Sequence, residues 1–280
     1  MKTTIPEELK KDMPQTSWGK LLTATPVIMT VIATLLAGLA SSEMTRAQYD
    51  RALGAQLQSK AGDQWSYFQA KKLRSAIQHS SLELLQATTD IHPTENPALD
   101  KIPSVAAPAL DANLQAALDA VSTEKPETDV TAAVKLVDAK ALADALQAAR
   151  DRARDFDAAL APANQAIAQL EKSLPTGDKS AARDLTAAKM RFAAMRYDVE
   201  AGLNQNIANL LELQVRKANI SAERHHARST RFFFGMLAAQ AAVIVSTLAM
   251  AARQRNLLWT LAAAAGIAAI IFAIYVYLRV

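Results

Sequence analysis

DKSAARDLTAAKMRFAAMRYDVEAGLNQNIANLLELQVRKANISAERHHARSTRFFFGMLAAQAAVIVSTLAMAAR, residues 178–253, contains no proline and holds one phase of apolar or small side chains throughout. The phase steps by threes and fours through Met190, Ala194, Tyr197, Ala201, Asn204, Ala208, Leu211, Val215, Ala218 and Ala222, and Phe232 and Met236 lie in the same phase. That is the seam of a helix packed along one stripe. It runs on through Ala239, Val243, Ser246 and Met250 inside the uncharged run 232–252, about the 20 residues that cross a bilayer. One rod therefore starts in water and ends in lipid, and the rest of the chain is read outward from it.

The composition agrees. In 280 residues, 51% are hydrophobic but only 5% aromatic, with 8 glycines, which suits long Ala-rich helices and not sheets. The expected fold class is all-α: three transmembrane helices and a long antiparallel, coiled-coil-like helical bundle outside the membrane. No cysteine is present, so disulfides and thiolate metal sites are excluded. The net charge of +4 comes from Lys and Arg mixed with Asp and Glu, as on solvated helix faces. Basic and aromatic residues are not interleaved, and no nucleic-acid partner is expected.

Residues 1–20 mix acidic and basic side chains and read as a surface segment. Residues 21–40 are uncharged and form a membrane helix or a signal peptide's hydrophobic region; their length behind a mixed-charge leader favours an uncleaved anchor. Thr23, Thr30, Thr34 and Ser41 share one face, as a pore lining or, more simply, as packing against other membrane helices. From residue 41 to about 90 the helix continues into water, with Leu53, Leu57, Ala61, Trp65, Phe68, Ile77 and Leu84 on its buried side. It matches the long C-terminal rod in length.

Within this first rod lies Asp63-Gln64-Trp65-Ser66-Tyr67-Phe68-Gln69-Ala70-Lys71, an aromatic and polar patch in an aromatic-poor chain. It resembles the signature of a bacterial membrane family, domain of unknown function family 4337, in which a first membrane helix is followed by an Asp-Gln-Trp-aromatic-aromatic-Gln-Ala-Lys-like segment. A charged helical domain and two closing membrane helices around a short basic loop, here Arg253-Gln254-Arg255, complete the likeness, which covers roughly residues 18–90 and 190–280. The resemblance implies an integral membrane protein and carries over no catalytic residue.

Pro93, Pro97, Pro103 and Pro108 enforce an extended connector over 91–107. A helix restarting with Pro108 at its first position is expected over 108–121. A polar loop around Pro126 and a further helix capped by Asp129 follow. From Leu142 a seam runs through Leu146, Ala149, Ala153, Phe156, Leu160, Ala163, Ile167, Leu170 and Leu174. It keeps phase across Pro162, which predicts a kinked but continuous helix. Pro175-Thr176-Gly177-Asp178 is a helical hairpin turn, with Gly177 left-handed and Asp178 capping the long rod. The two seams then meet antiparallel, with Phe156 expected near Tyr197. The bundle domain is expected over 41–231, thinning to a two-helix stalk of about 41–60 and 212–231. Such a stalk buries little by itself, so self-association into a homo-oligomer is expected. Residues 232–252 and 257–278 form the second and third spans, with Ala262 and Gly266 a small-residue face for close helix contact.

Two groups of side chains are candidates for contact with other molecules. Asp63, Gln64, Trp65, Tyr67, Gln69 and Lys71 could bind a ligand or partner helix, or simply supply bundle core and solvated charge. Arg224, His225, His226, Arg228 and Arg231 stand where lipid headgroups are expected; adjacent histidines on a helix point about 100° apart and chelate metal poorly. Asn204 on the seam can fix register or oligomer state. No metal or cofactor site is expected. No nucleophile, paired carboxylate or phosphate loop stands in a catalytic setting, so the expectation is a non-enzymatic membrane protein that self-assembles or binds a partner membrane protein. A sensor without its own output domain, and a small channel or transporter accessory subunit using the Thr stripe with Gln240 and Thr247, are the alternatives. The resemblance implies a bacterial inner membrane; within it the short Arg253–Arg255 loop favours a cytoplasmic N-terminus and a periplasmic bundle. The basic cluster Arg216, Lys217, Arg224, Arg228 and Arg231 favours the reverse but lies in a long domain that translocates largely regardless of charge.

Overall fold

The computed structural model describes residues 17–92, 99, 101–103, 110–251 and 255–279. Residues 1–16 of the expected surface segment, most of the proline connector and residues 253–254 of the basic loop lie outside the described residues. Every element among the described residues is helical. Helix α1 is Ser17–Thr88, α2 Ala112–Ser122, α3 Glu127–Leu136, α4 Ala139–Ala159, α5 Ala161–Ser173, α6 Lys179–Ala251 and α7 Arg255–Arg279. The chain divides into two compact units, one of residues 52–220 and one of residues 1–51 with 221–280. Their borders lie about three helical turns beyond the ends expected for the apolar runs at residues 40 and 232.

In the unit of residues 52–220, α2 to α5 pack on parts of α1 and α6. Ala61 of α1, Leu114 and Ala117 of α2, Val130 and Val134 of α3, Leu142 and Leu146 of α4, and Ile207, Leu210 and Leu211 of α6 form one buried cluster. A second joins Phe156, Leu160 and Ala163 to Ala188, Phe192 and Leu203, with Leu99 and Ile102 of the connector against it. The α4–α5 seam therefore does lie on α6, but not through Tyr197. Phe156 is fully buried with Phe192, Leu203 and Val199, whereas Tyr197 lies against α1. The long rod carries two buried stripes because it has partners on two sides, and the single sequence phase merged them.

Local chemistry sets the helix ends. Thr88 and Thr89 hydroxyls donate back to the carbonyls of Leu84 and Leu85 at 2.8 and 2.6 Å, closing the last turn of α1 ahead of Pro93. α2 begins at Ala112 and not at Pro108 as expected, and Asp111 caps it by accepting from the Asn113 N–H at 3.1 Å. Asp129 sits in the first turn of α3 and Pro126 precedes it without a side-chain cap. Val137 is extended, and Asp138 caps α4 through the Ala141 N–H. The helix expected to run through Pro162 instead divides at Leu160. Proline lacks the donor for a fourth-preceding carbonyl, and it is accommodated in the first turn of α5. The hairpin turn agrees with its sequence: Gly177 has φ 93°, and the Asp178 carboxylate accepts from the Ser180 and Ala181 N–H groups at 3.0 Å each.

The other unit packs the ends of α1 and α6 with α7. Its interior is made of small side chains: Ala33, Ala40, Ala239, Ala242, Ser246, Ala249, Ala262 and Ala269 are buried, with Leu36 and Phe232. Gly266 lies so close to Met29 that an added Cβ would stand 2.8 Å from its Cε, and Gly235 abuts Leu36. Large apolar side chains, among them Val27, Val31, Leu35, Phe234, Ile244, Leu248, Ile267 and Ile271, face outward. Among the described residues, α1 and α6 carry stretches long and apolar enough to cross a membrane, while the apolar stretch of α7, Thr260–Tyr275, is shorter. The Thr30 and Thr34 hydroxyls donate to the carbonyls of Pro26 and Thr30 at 2.8 and 2.9 Å, and that of Thr247 to Val243 and Ile244. These hydroxyls of the proposed pore stripe are bonded within their own helices.

Candidate functional site: a polar seam between the long helices

On α1 the residues facing α6 recur at seven-residue intervals in two rows: Ala61, Phe68, Ser75 and Leu82, and Gln64, Lys71, Gln78 and Leu85. All are buried or half-buried. Polar members of these rows find partners on α6. Gln64 donates to the side-chain oxygen of Asn204, whose own amide donates to the Glu200 carbonyl at 2.6 Å. Lys71 pairs with the Glu200 carboxylate, which also takes the Arg196 guanidinium at 3.1 Å. The Ser75 hydroxyl donates to the Ala194 carbonyl at 3.2 Å in a buried contact. Lys71, Arg74 and Arg196 approach the Tyr197 ring, with Arg196 nearest at 4.7 Å from its centroid.

One carboxylate between two cations, with an aromatic ring beside them, is an arrangement that aligns two helices. Sliding either rod by one turn would separate the Gln64–Asn204 and Lys71–Glu200 pairs together. Register is therefore written in polar groups. At the edge of this seam Asp198 pairs with Lys72 at 3.2 Å and His79 at 3.5 Å. Burial raises its carboxyl, but hydrogen bonds from Lys72, Ser75 and His79 with the Lys72 charge outweigh that and hold it below the ordinary aspartate range.

The signature patch is thus divided. Gln64, Trp65 and Lys71 turn toward the bundle, with Trp65 edge-on to Phe68 at 5.6 Å. Asp63, Tyr67 and Gln69 are exposed. Trp65 also lines a cavity of about 460 Å³ with Glu127 of α3 and Gln205, Asn209 and Arg216 of α6. Glu127 clamps Arg216 from above at 2.8 and 3.0 Å. Burial lowers the Arg216 guanidinium, and Glu127 and Glu212 raise it more. The partners Glu200, Arg196, Asp198 and Ser75 were not singled out in the sequence; the seven-residue recurrence of polar positions on α1 was the available signal.

The second candidate group is divided too. His225 meets carboxylates of α1: its Nδ1 is 2.6 Å from Glu43 Oε2 and its Nε2 4.0 Å from Asp50. Arg228 reaches the same Glu43 at 3.8 Å, and Arg46 stands at 3.7 Å. A glutamate buried on a helix just past an apolar run needs such cations, which draws both side chains inward. His226 and Arg224 are exposed and Arg231 is half-buried. No cluster of three or more His, Asp or Glu suited to a metal occurs among the described residues.

A family model described as Domain of unknown function (DUF4337) matches residues 18–168. The chain belongs to that family. The match includes the signature patch and, contrary to the sequence expectation, runs through the proline connector and on to α5, while residues 190–280 lie beyond it. No curated protein and no solved structure shows significant similarity to the chain.

Proposed function

We propose that this chain is a non-enzymatic integral membrane protein with three spans, whose helical domain acts by self-assembly or by binding a partner membrane protein. The observation that carries the membrane reading is the inside-out packing of α1, α6 and α7. Small residues meet at the helix contacts and large apolar residues cover the outside, as helices do when lipid is the solvent. On this reading α7 is the third span and its Ala262–Gly266–Ala269 face is the contact. The Gln64–Asn204 and Lys71–Glu200 pairs favour a rigid assembly element over a catalytic one, since they use their polar groups on each other. The family resemblance supports a bacterial inner membrane as the location, and the short Arg253–Arg255 loop supports a cytoplasmic N-terminus and a periplasmic bundle.

The test is extraction and mass. Protein that stays in membranes under alkaline wash and purifies in detergent as a homo-oligomer, or with a stoichiometric membrane partner, supports the proposal. Protein released by the wash refutes it. Labelling a Thr176→Cys variant in intact cells with a membrane-impermeant thiol reagent supports the periplasmic orientation, and labelling only after the inner membrane is broken reverses it.

A further inference from the structure

On α1, opposite the polar seam, a second row steps by four and three: Ser66, Ala70, Leu73, Ile77, Ser80, Leu84 and Ala87, all exposed. Leu73 is 62%, Ile77 51% and Leu84 66% exposed. Helical periodicity alone places Ile77 and Leu84 on the buried side, together with Trp65 and Phe68. In the fold they face away, while Gln64, Lys71 and Ser75 occupy the inner face. A helix that already packs Phe68, Leu82 and Leu85 inward with these polar groups, and still leaves Leu73, Ile77 and Leu84 outside, carries a second apolar face.

We propose that this row is a parallel coiled-coil interface with a second copy of the same chain. Alternating steps of four and three are the period at which one helix stays against another, and they persist for three heptads without a charge. The partner's direction follows from the proposal that α1 crosses the membrane, on which this inference rests. The helix that bears the row also bears the apolar run 24–40, so two copies inserted alike place α1 beside α1 in parallel and at equal depth. Each row then meets itself in register. Flanking positions are compatible with that pairing: Gln69 faces Arg74 of the partner subunit, Ala76 faces Ser81 of the partner subunit and Glu83 faces Thr88 of the partner subunit, so no like charges are opposed. The serines at two core positions make the contact modest, and confinement to one membrane supplies the effective concentration.

The chain has no cysteine, which makes the test direct. Leu73→Cys, Leu84→Cys and, as an off-row control, the exposed position Gln86→Cys are oxidised separately in native membranes. Mass is measured after detergent extraction for wild type and for Leu73→Asp/Ile77→Asp/Leu84→Asp, with helix content as the check on folding. The proposal expects disulfide-linked dimers at 73 and 84 and not at 86, and loss of the dimer in the folded triple variant. A wild-type oligomer that survives the triple substitution without row crosslinks overturns the interface and leaves self-assembly standing. A wild type resistant to alkaline wash but monomeric overturns both. Row crosslinks to a different polypeptide overturn the choice of a second copy.

Discussion

The Nδ1 atom of His225 stands 2.6 Å from Oε2 of Glu43, joining α6 to α1 through side chains 20% and 11% exposed. The two partners are 182 positions apart. Beside them the buried Ser229 hydroxyl donates to the Ala40 carbonyl at 2.7 Å, so polar contacts fix the two helices at this level.

Glu43→Gln is expected to destabilise the extracted protein by about 1.5–3 kcal/mol, the range for hydrogen bonds to charged groups. His225→Gln should lose part of the same energy, so the double variant is less than additive by about 0.5–3 kcal/mol. His226→Gln should stay within about 0.5 kcal/mol, as exposed substitutions do. Thermal unfolding of the four proteins measures this; additive Glu43 and His225 effects would contradict the pairing.

Phe156 and Tyr197 separate the two faces of α6. Phe156→Ala should cost about 3–5 kcal/mol, because it empties a closed aromatic site. Tyr197→Leu keeps an apolar side chain and loses cation–π contacts worth about 0.5–1 kcal/mol each at exposed sites, so its cost is smaller. Denaturant midpoints for both variants decide the order, and a larger loss at Tyr197 would place the core on the wrong side of α6.

Asp198 provides a pH signature. Its folded-state carboxyl titrates below the ordinary aspartate value, so in the unfolded chain it takes up a proton first, near about pH 3.9. The stability it contributes is complete above that value and is lost as pH falls through the lower folded-state pKa. Asp198→Asn should therefore lower the melting temperature at pH 7, with the difference from wild type shrinking below pH 4. A difference that grows toward acid pH would mean the carboxylate is not stabilised by Lys72 and His79.

Much of the architecture was legible because helix signals are local and periodic. The Pro175–Asp178 turn needs a left-handed residue and a cap, and Gly177 and Asp178 are the residues that supply them. Faces were harder. On α1 the rows through Phe68 and through Leu73 each contain apolar residues at helical spacing, and hydrophobicity alone assigned Ile77 and Leu84 to the inner one. Only the matching polar row on α6, Glu200 and Asn204, discriminates between them. His225 shows the same limit: a histidine between arginines just ahead of an apolar run reads as a surface group unless Glu43, far away in sequence, is known to stand opposite.

The central claim, that lipid surrounds the large outward side chains of α1, α6 and α7, is tested by spin labels on single cysteines in reconstituted vesicles. Labels replacing Leu35, Ile244 and Ile271, all exposed apolar positions, should collide freely with dissolved oxygen and hardly at all with a water-soluble nickel complex. A label at Ala239, which is fully buried, should be shielded from both. Ready collision with the nickel complex at Leu35, Ile244 and Ile271 would mean that water surrounds these helices and would contradict the account.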